Sequence, residues 1–248
     1  MSKVLNDLFD YGLYIYQDGD KFKFSLDSIL LAEFVEVGST INQIVDFCSG
    51  NGPVPMILST RCNANITGIE IQENIYNLGK ESIEYNKLGN KIKLINDNLT
   101  NVKKYFPDES VDVVTCNPPY FKYLGNNSLV NEDKEKAIAR HEITMDLDSM
   151  IKSAKYVLKN KGSFYLVHRC DRLEEIINTL SSNGFNVKKL QFVYSNINKE
   201  AIMVLIKAIK NGNSGSLKIM PPIDISDLKS YKGIFERGDG HEDDSRSR

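Results

Sequence analysis

Cysteine is scarce and scattered in this chain. Four occur among 248 residues, Cys48, Cys62, Cys116 and Cys170. No two form a CxxC pair, which speaks against a zinc cluster or a disulfide framework. Reduced thiols in a cytoplasmic protein are the expectation, and no metal is expected. Long apolar runs are missing too. Nothing approaches the ~20 residues that cross a bilayer. Residues Met1 to Asp7 also lack the apolar stretch of a signal peptide. Charge of one sign is missing as well: 31 Lys and Arg stand against 33 Asp and Glu, for a net charge of -2. The total therefore carries no nucleic-acid signature. A local basic face can still act on its own. No internal repeat is visible.

What remains is an ordinary globular composition, 41% apolar and 26% charged, in a chain long enough for one α/β domain with extensions. Five apolar runs, each followed by a helical pattern or a long connection, begin at Gln43, Ile66, Lys91, Val111 and Gly162. Two more, Val187 to Tyr194 and Ala201 to Ile209, are joined by only six residues, Ser195 to Glu200. That is too short for a parallel crossover, so the last strand should be antiparallel. The prediction is a Rossmann-like, doubly wound, seven-stranded α/β sheet, mostly parallel. Helices are expected near Ile57, over Gln72 to Asn86, Leu147 to Lys159 and Arg172 to Ser182, the last closed by Gly184. The first 20 residues carry little signal. Residues 1–40 are expected to form an arm and helix on a main domain at 41–236. Residues 237–248, without an apolar side chain, read as a disordered tail. Met220 to Ile223 are expected at the sheet edge.

Asn117-Pro118-Pro119-Tyr120 is the most informative stretch. It ends the apolar strand Val111 to Cys116. Neither proline can donate to a ladder, so pairing stops there. Each proline also pushes the residue before it to extended geometry. The result is a stiff tip that holds an amide, free carbonyls and an aromatic ring in fixed positions. An amine there can donate to the Asn117 oxygen and the Pro118 carbonyl while its flat carrier stacks on Tyr120.

Three other predicted strand ends carry matching chemistry. Asp46-Phe47-Cys48-Ser49-Gly50-Asn51-Gly52, followed by Pro53, Pro55 and a helix, has the strand–glycine turn–helix context of a nucleotide loop. Glu70, 20 positions after Gly50, closes the next strand, as does an acid that bonds a ribose diol. Asp97-Asn98 closes the third. Such sheets bind ligands beyond the carboxyl ends of their strands. Nearer the start, Ser25 or Asp27 can cap the helix that follows. The polar stretch from Phe121 to Glu142 reads as a lid or binding loop beside the tip.

These motifs resemble those of the class I S-adenosylmethionine-dependent methyltransferases. Within that class, residues 15–225 resemble the bacterial tRNA adenine-N6 methyltransferases that modify the adenine next to the anticodon of a valine tRNA. Phe24-Ser25-x-Asp27, Ala139-Arg140-His141-Glu142 and Val167-His168-Arg169 with Arg172-Leu173 carry the narrower likeness. The resemblance implies S-adenosylmethionine as cofactor, bound by Phe24, Ser25, Asp27, Asp46, Cys48, Ser49, Gly50, Asn51, Gly52, Glu70, Ile71, Asp97, Asn98 and Asn117. It implies catalysis at Asn117, Pro118, Pro119 and Tyr120, with tRNA as partner. Cys48 stands where many relatives have glycine. Substrate-binding candidates are Lys122, Arg140, His141, Arg169 and Arg172. Lys21, Lys23, Lys134, Lys136, Lys188 and Lys189 could extend the basic face.

The tip does not name its amine. It would equally serve a protein glutamine N5, an rRNA guanine N2 or a DNA adenine, and a cofactor-binding module without activity is a further reading. A glutamine methyltransferase should carry an N-terminal helical domain, for which about 40 residues are too few. The sequence leaves monomer and homodimer open.

Overall fold

The computed structural model describes residues 3–8, 11–19, 26–119 and 146–226. Phe24, Ser25, Tyr120, Lys122, Arg140 and His141, with Lys21, Lys23, the 121–142 stretch and the tail from 237, lie outside the described residues.

The chain opens with a hairpin that the sequence reading missed. Strands β1 (Lys3–Asp7) and β2 (Tyr14–Asp18) pair antiparallel. Leu8, Leu13 and Ile15 anchor it in the core. Helix α1 (Leu26–Phe34) follows. Because it begins at Leu26, Asp27 lies in its first turn and is not the cap. Then come β3 (Gln43–Phe47), α2 (Pro53–Arg61), β4 (Asn65–Glu70), α3 (Glu73–Tyr85), β5 (Ile92–Asn96) and β6 (Val111–Cys116). Helix α4 (Leu147–Val157) runs straight into β7 (Leu158–Arg169), four residues before the predicted start at Gly162. A register shift against β6 between Val111 and Val113 absorbs the irregular stretch. Helix α5 (Leu173–Ser182), β8 (Phe185–Tyr194) and β9 (Ala201–Lys210) complete the main fold. Gly184 closes α5 with φ +82°, as its position predicted.

The seven long strands take the order β8-β9-β7-β6-β3-β4-β5. All are parallel except β9, which runs antiparallel to both neighbours. The predicted doubly wound sheet with an antiparallel last strand is therefore present. The count of seven needs correcting, because two two-residue strands, β10 (Lys218–Ile219) and β11 (Ile223–Asp224), also pair with β8. Pro221 and Pro222 lie between them and have no N–H to donate, so this edge segment pairs in two short pieces. Met220 N and the Pro221 carbonyl still bond β8, at Leu190 O and Gln191 Nε2.

Helices cover both faces. Leu30, Leu31, Met56, Ile57 and Ile83 pack on one side of the sheet, with Ile44, Ile66 and Val113. Ile151, Ala154, Val157, Ile176 and Leu180 pack on the other, with Val45, Val114, Phe164 and Val204. Strands buried on two faces must read as continuous apolar runs, and β6 and β9 do.

The topology also sets the site. From β3 the chain lays β4 and β5 to one side, then returns to lay β6 and β7 on the other. The reversal falls between β3 and β6, the crevice where open α/β sheets bind ligands. Phe47 of β3 pairs with Cys116 of β6. The next residues, Cys48 and Asn117, therefore flank that crevice about 5 Å apart.

Candidate active site at the strand ends

The loop after β3 turns by repeated left-handed backbone: φ is +55° at Cys48, +57° at Gly50 and +90° at Gly52. Glycine meets this geometry freely, whereas Cys48 adopts it under strain. Ser49 N bonds Ile69 O at 3.0 Å, and Gly52 N bonds Ser49 O at 2.9 Å. Gly50 N donates to Glu70 Oε2 at 2.9 Å. The loop predicted to hold the cofactor is thus tied to the neighbouring strand end through the acid predicted to bind a ribose. Glu70 Oε1 accepts from Gln72 N at 2.8 Å. The Ile71 backbone and the Gln72 side chain add further hydrogen bonds to this carboxylate.

Asp46 and Glu70 are both buried, and burial pushes both carboxyls up, Asp46 to about 7. Thr115, opposite Asp46 on β6, donates to Asp46 Oδ1 at 2.6 Å and opposes that rise. The charge of Glu70 reinforces it.

At the end of β5, Asp97 accepts from Asn98 N (2.7 Å), Asn101 Nδ2 (2.7 Å) and Tyr105 Oη (2.7 Å). The Tyr105 and Asn101 bonds hold its carboxyl well below the ordinary range. Asn98 caps the 3₁₀ turn Leu99–Lys104 through Thr100 N. Ile71, 40% exposed, leaves an apolar side chain beside the loop. Pro118 is buried, with Asn117 and Pro119 half-buried on either side. Asn117 Nδ2 donates to Ser28 Oγ at 3.0 Å, which places Asp27's turn of α1 over the tip.

Arg169 ends β7 and Arg172 follows it, on the same strand-end face. Arg169 engages Asp171 (2.7 Å), and Arg172 holds Glu175 through two bonds (3.0 and 3.1 Å). A phosphate at either must compete with that carboxylate. His168 is buried, and burial beside Arg172 lowers it to about 4. Lys188 and Lys189 do not join this face. Lys188 lies six residues before the end of β8, ~20 Å back along the strand. Its Nζ ties down Gly215 O, and Lys189 pairs with Glu36 at 2.9 Å. Among the described residues no group of three or more His, Cys, Asp or Glu could hold a metal. None of their helices is long and apolar enough to cross a membrane.

Sequence reasoning missed several supports. Asn96 Nδ2 clamps Glu70 O (2.8 Å) and Ile71 O (3.2 Å). Asn51 Nδ2 holds Tyr16 O of the hairpin at 2.9 Å. Gly68 and Gly79 lack the Cβ that would strike Ser49 and Asn51. A glycine inside a strand or helix pattern signals such close approach. Asn96 and Thr115 carried no local signal.

The donor set discriminates between cofactors. A pyrophosphate seeks the four free N–H groups of a helix start. At α2 two of those positions are Pro53 and Pro55, and Gly52 N is already bonded. Two buried acids stand nearby instead. This arrangement suits a cationic, phosphate-free cofactor with a ribose. S-adenosylmethionine is such a molecule, and the orphaned acceptor Asn51 Oδ1, buried in the same loop, also calls for a donor.

Comparison with known proteins agrees. A methyltransferase domain family matches residues 44–162. The tRNA1(Val) (adenine(37)-N6)-methyltransferase of Phocaeicola vulgatus is 26% identical over 192 residues, 77% of this chain and 79% of its own. The enzyme of the same name from Cytophaga hutchinsonii is 24% identical, over 75% of this chain and 76% of its own. A predicted O-methyltransferase of Agrobacterium tumefaciens superposes with TM-score 0.63 at 20% identity, over 88% of this chain and 98% of its own. Fold, strand-end chemistry and matched domain agree: the chain carries a methyltransferase domain and is similar to S-adenosylmethionine-dependent methyltransferases.

Proposed function

We propose that this methyltransferase modifies the exocyclic N6 of an adenine in the anticodon loop of a tRNA, with residues 41–236 as its catalytic unit. The observation that carries the reading is Asn117-Pro118-Pro119 at the topological switch point, beside a loop fitted to the cofactor. The relatives' names give the acceptor.

When bound, S-adenosylmethionine supplies a methyl group on a sulfonium, already activated toward a nucleophile. Asp46, the 48–52 loop, Glu70, Ile71, Asp97 and Asn98 hold it, with Phe24, Ser25 and Asp27 from the α1 region. The protein's main task is then to place an amine in line. The adenine amine is a poor nucleophile because its lone pair is spread into the ring. Asn117 and the Pro118 carbonyl accept its two N–H groups. They favour pyramidal nitrogen and stabilise the positive charge that develops there. Tyr120 stacks on the base, a contact worth ~1–3 kcal/mol. An anticodon-loop base is already partly unstacked, which lowers the cost of extracting it. Arg140, His141, Lys122, Arg169 and Arg172 serve the backbone, so binding should weaken steeply with salt. The enzyme works in the cytoplasm.

Labelled S-adenosylmethionine, offered with unmodified total tRNA and in parallel with rRNA, DNA and release factor, tests this. Label recovered as N6-methyladenosine from tRNA alone is the expected result. Label in another acceptor overturns the substrate.

A further inference from the structure

The amide of Asn117 is held from across the fold. Its Nδ2 donates to Ser28 Oγ at 3.0 Å, between residues 89 apart in sequence. Ser28 is 7% exposed, in the first turn of α1. That helix buries Leu26, Ile29, Leu30, Leu31, Ala32 and Phe34, so its first turn is anchored. Ser28 is the one hydroxyl in it. An alanine there would be a better helix former and would bury no polar atom. The hydroxyl therefore needs an explanation, and Asn117 supplies one.

A carboxamide has two unlike ends in one plane. Fixing the nitrogen end fixes where the oxygen end points. The acceptor amine brings only N–H donors toward Asn117, so it requires the oxygen. With the ends exchanged, NH2 would oppose NH2. One hydrogen bond would be lost and two donors crowded together. We infer that Ser28 is a positioning residue that anchors the nitrogen end of the Asn117 amide and so holds the carboxamide in place for the acceptor amine. The inference rests on the role given to Asn117 above. Ser28 touches neither substrate nor reacting atoms and acts through the amide alone.

The test measures methyl transfer and cofactor affinity in Ser28→Ala, Ser28→Thr, Asn117→Ala and the double variant Ser28→Ala/Asn117→Ala. Ser28→Ala should lower kcat roughly five- to fifty-fold, the worth of one misdirected hydrogen bond. The dissociation constant for S-adenosylmethionine should not move. Ser28→Thr keeps the hydroxyl and should recover most of the rate. In single turnovers with Asn117→Ala, removing Ser28 as well should cost nothing further. A Ser28→Ala enzyme with wild-type kcat overturns the inference. So does an equal loss in both backgrounds, or a loss that threonine does not restore, since a purely structural hydroxyl would behave so. Asn117→Ala separates the two levels. Full activity in that variant overturns the tip chemistry itself, whereas an inactive Asn117→Ala beside a normal Ser28→Ala removes only the role of Ser28.

Discussion

Gly79→Ala sets two effects of known size against each other. In an unconstrained helix interior, alanine in place of glycine is worth ~1 kcal/mol of stability. In a chain of this length that raises Tm by ~2–4 °C. Here a Cβ on Gly79 would stand 2.7 Å from Leu94 Cδ1, and 3.0 and 3.1 Å from the Asn51 carbonyl carbon and oxygen. Leu94 can turn its methyl aside, but Asn51 cannot yield. It is fully buried, its side chain holds Tyr16 O, and Gly50 N on its one flank is tied to Glu70. Overpacking against such a site costs ~1–3 kcal/mol. The clash therefore equals or exceeds the propensity gain, for a net loss of up to ~2 kcal/mol. The remaining strain falls on the cofactor loop, which must move off α3. Affinity for S-adenosylmethionine should drop by about tenfold, ~1.4 kcal/mol. Thermal unfolding and titration calorimetry on wild type and variant read both quantities. A variant with higher Tm and undiminished cofactor affinity would refute the claim that Gly79 seats the loop.

Two further predictions concern the same loop. Asp46 rises from 3.8 to about 7 on folding. The folded state therefore binds the proton more tightly, and this stabilisation is complete below pH ~4 and lost as pH climbs through 7, by as much as ~4 kcal/mol. Denaturant melts of the cofactor-free protein should show less stability at pH 8 than at pH 5. Asp46→Asn, whose amide oxygen still accepts from Thr115, should flatten much of that slope, and an unchanged slope would assign it to other groups. Cys48, at φ +55°, should accept glycine within ~1 kcal/mol, because relieved strain offsets the added freedom of the unfolded chain. Cys48→Val should lose ~1–3 kcal/mol; equal urea midpoints for the two variants would contradict the strain.

What the sequence revealed and what it hid divide by range. The Asn117-Pro118-Pro119 tip, the Cys48–Gly52 turn and Glu70 were legible because their chemistry is local. Proline forbids pairing, glycine permits left-handed turns, and a short apolar run bounded by both marks a buried strand. The antiparallel β9 was legible from the length of one loop. The β1–β2 hairpin was not, because its stability is not its own. Its outer edge is satisfied by side chains of α3 and its C-cap: Tyr14 N by Asn86 Oδ1 at 2.9 Å and Tyr16 N by Ser82 Oγ at 2.8 Å. Two five-residue strands around a lone Gly12, at φ +66°, gave no sign of that. Thr115, Asn96 and Ser28 escaped for a related reason. Each acts across elements, and its partner follows from strand register or helix packing that no local pattern encodes.

The hidden residues share a role. Thr115 holds Asp46, Asn96 clamps the end of β4 behind Glu70, and Ser28 holds Asn117. Every one orients a residue that the sequence had nominated for chemistry. Local sequence thus names the groups proposed to meet cofactor and acceptor, while the fold supplies the groups that aim them. The buried acids show why aiming is needed. Asp46 and Glu70 are held out of water at a strand-end crevice, a state that burial alone opposes. A cationic cofactor would offset what burial removes, provided the two acids are held in place. Thr115 and the backbone amides of Gly50 and Gln72 keep them there.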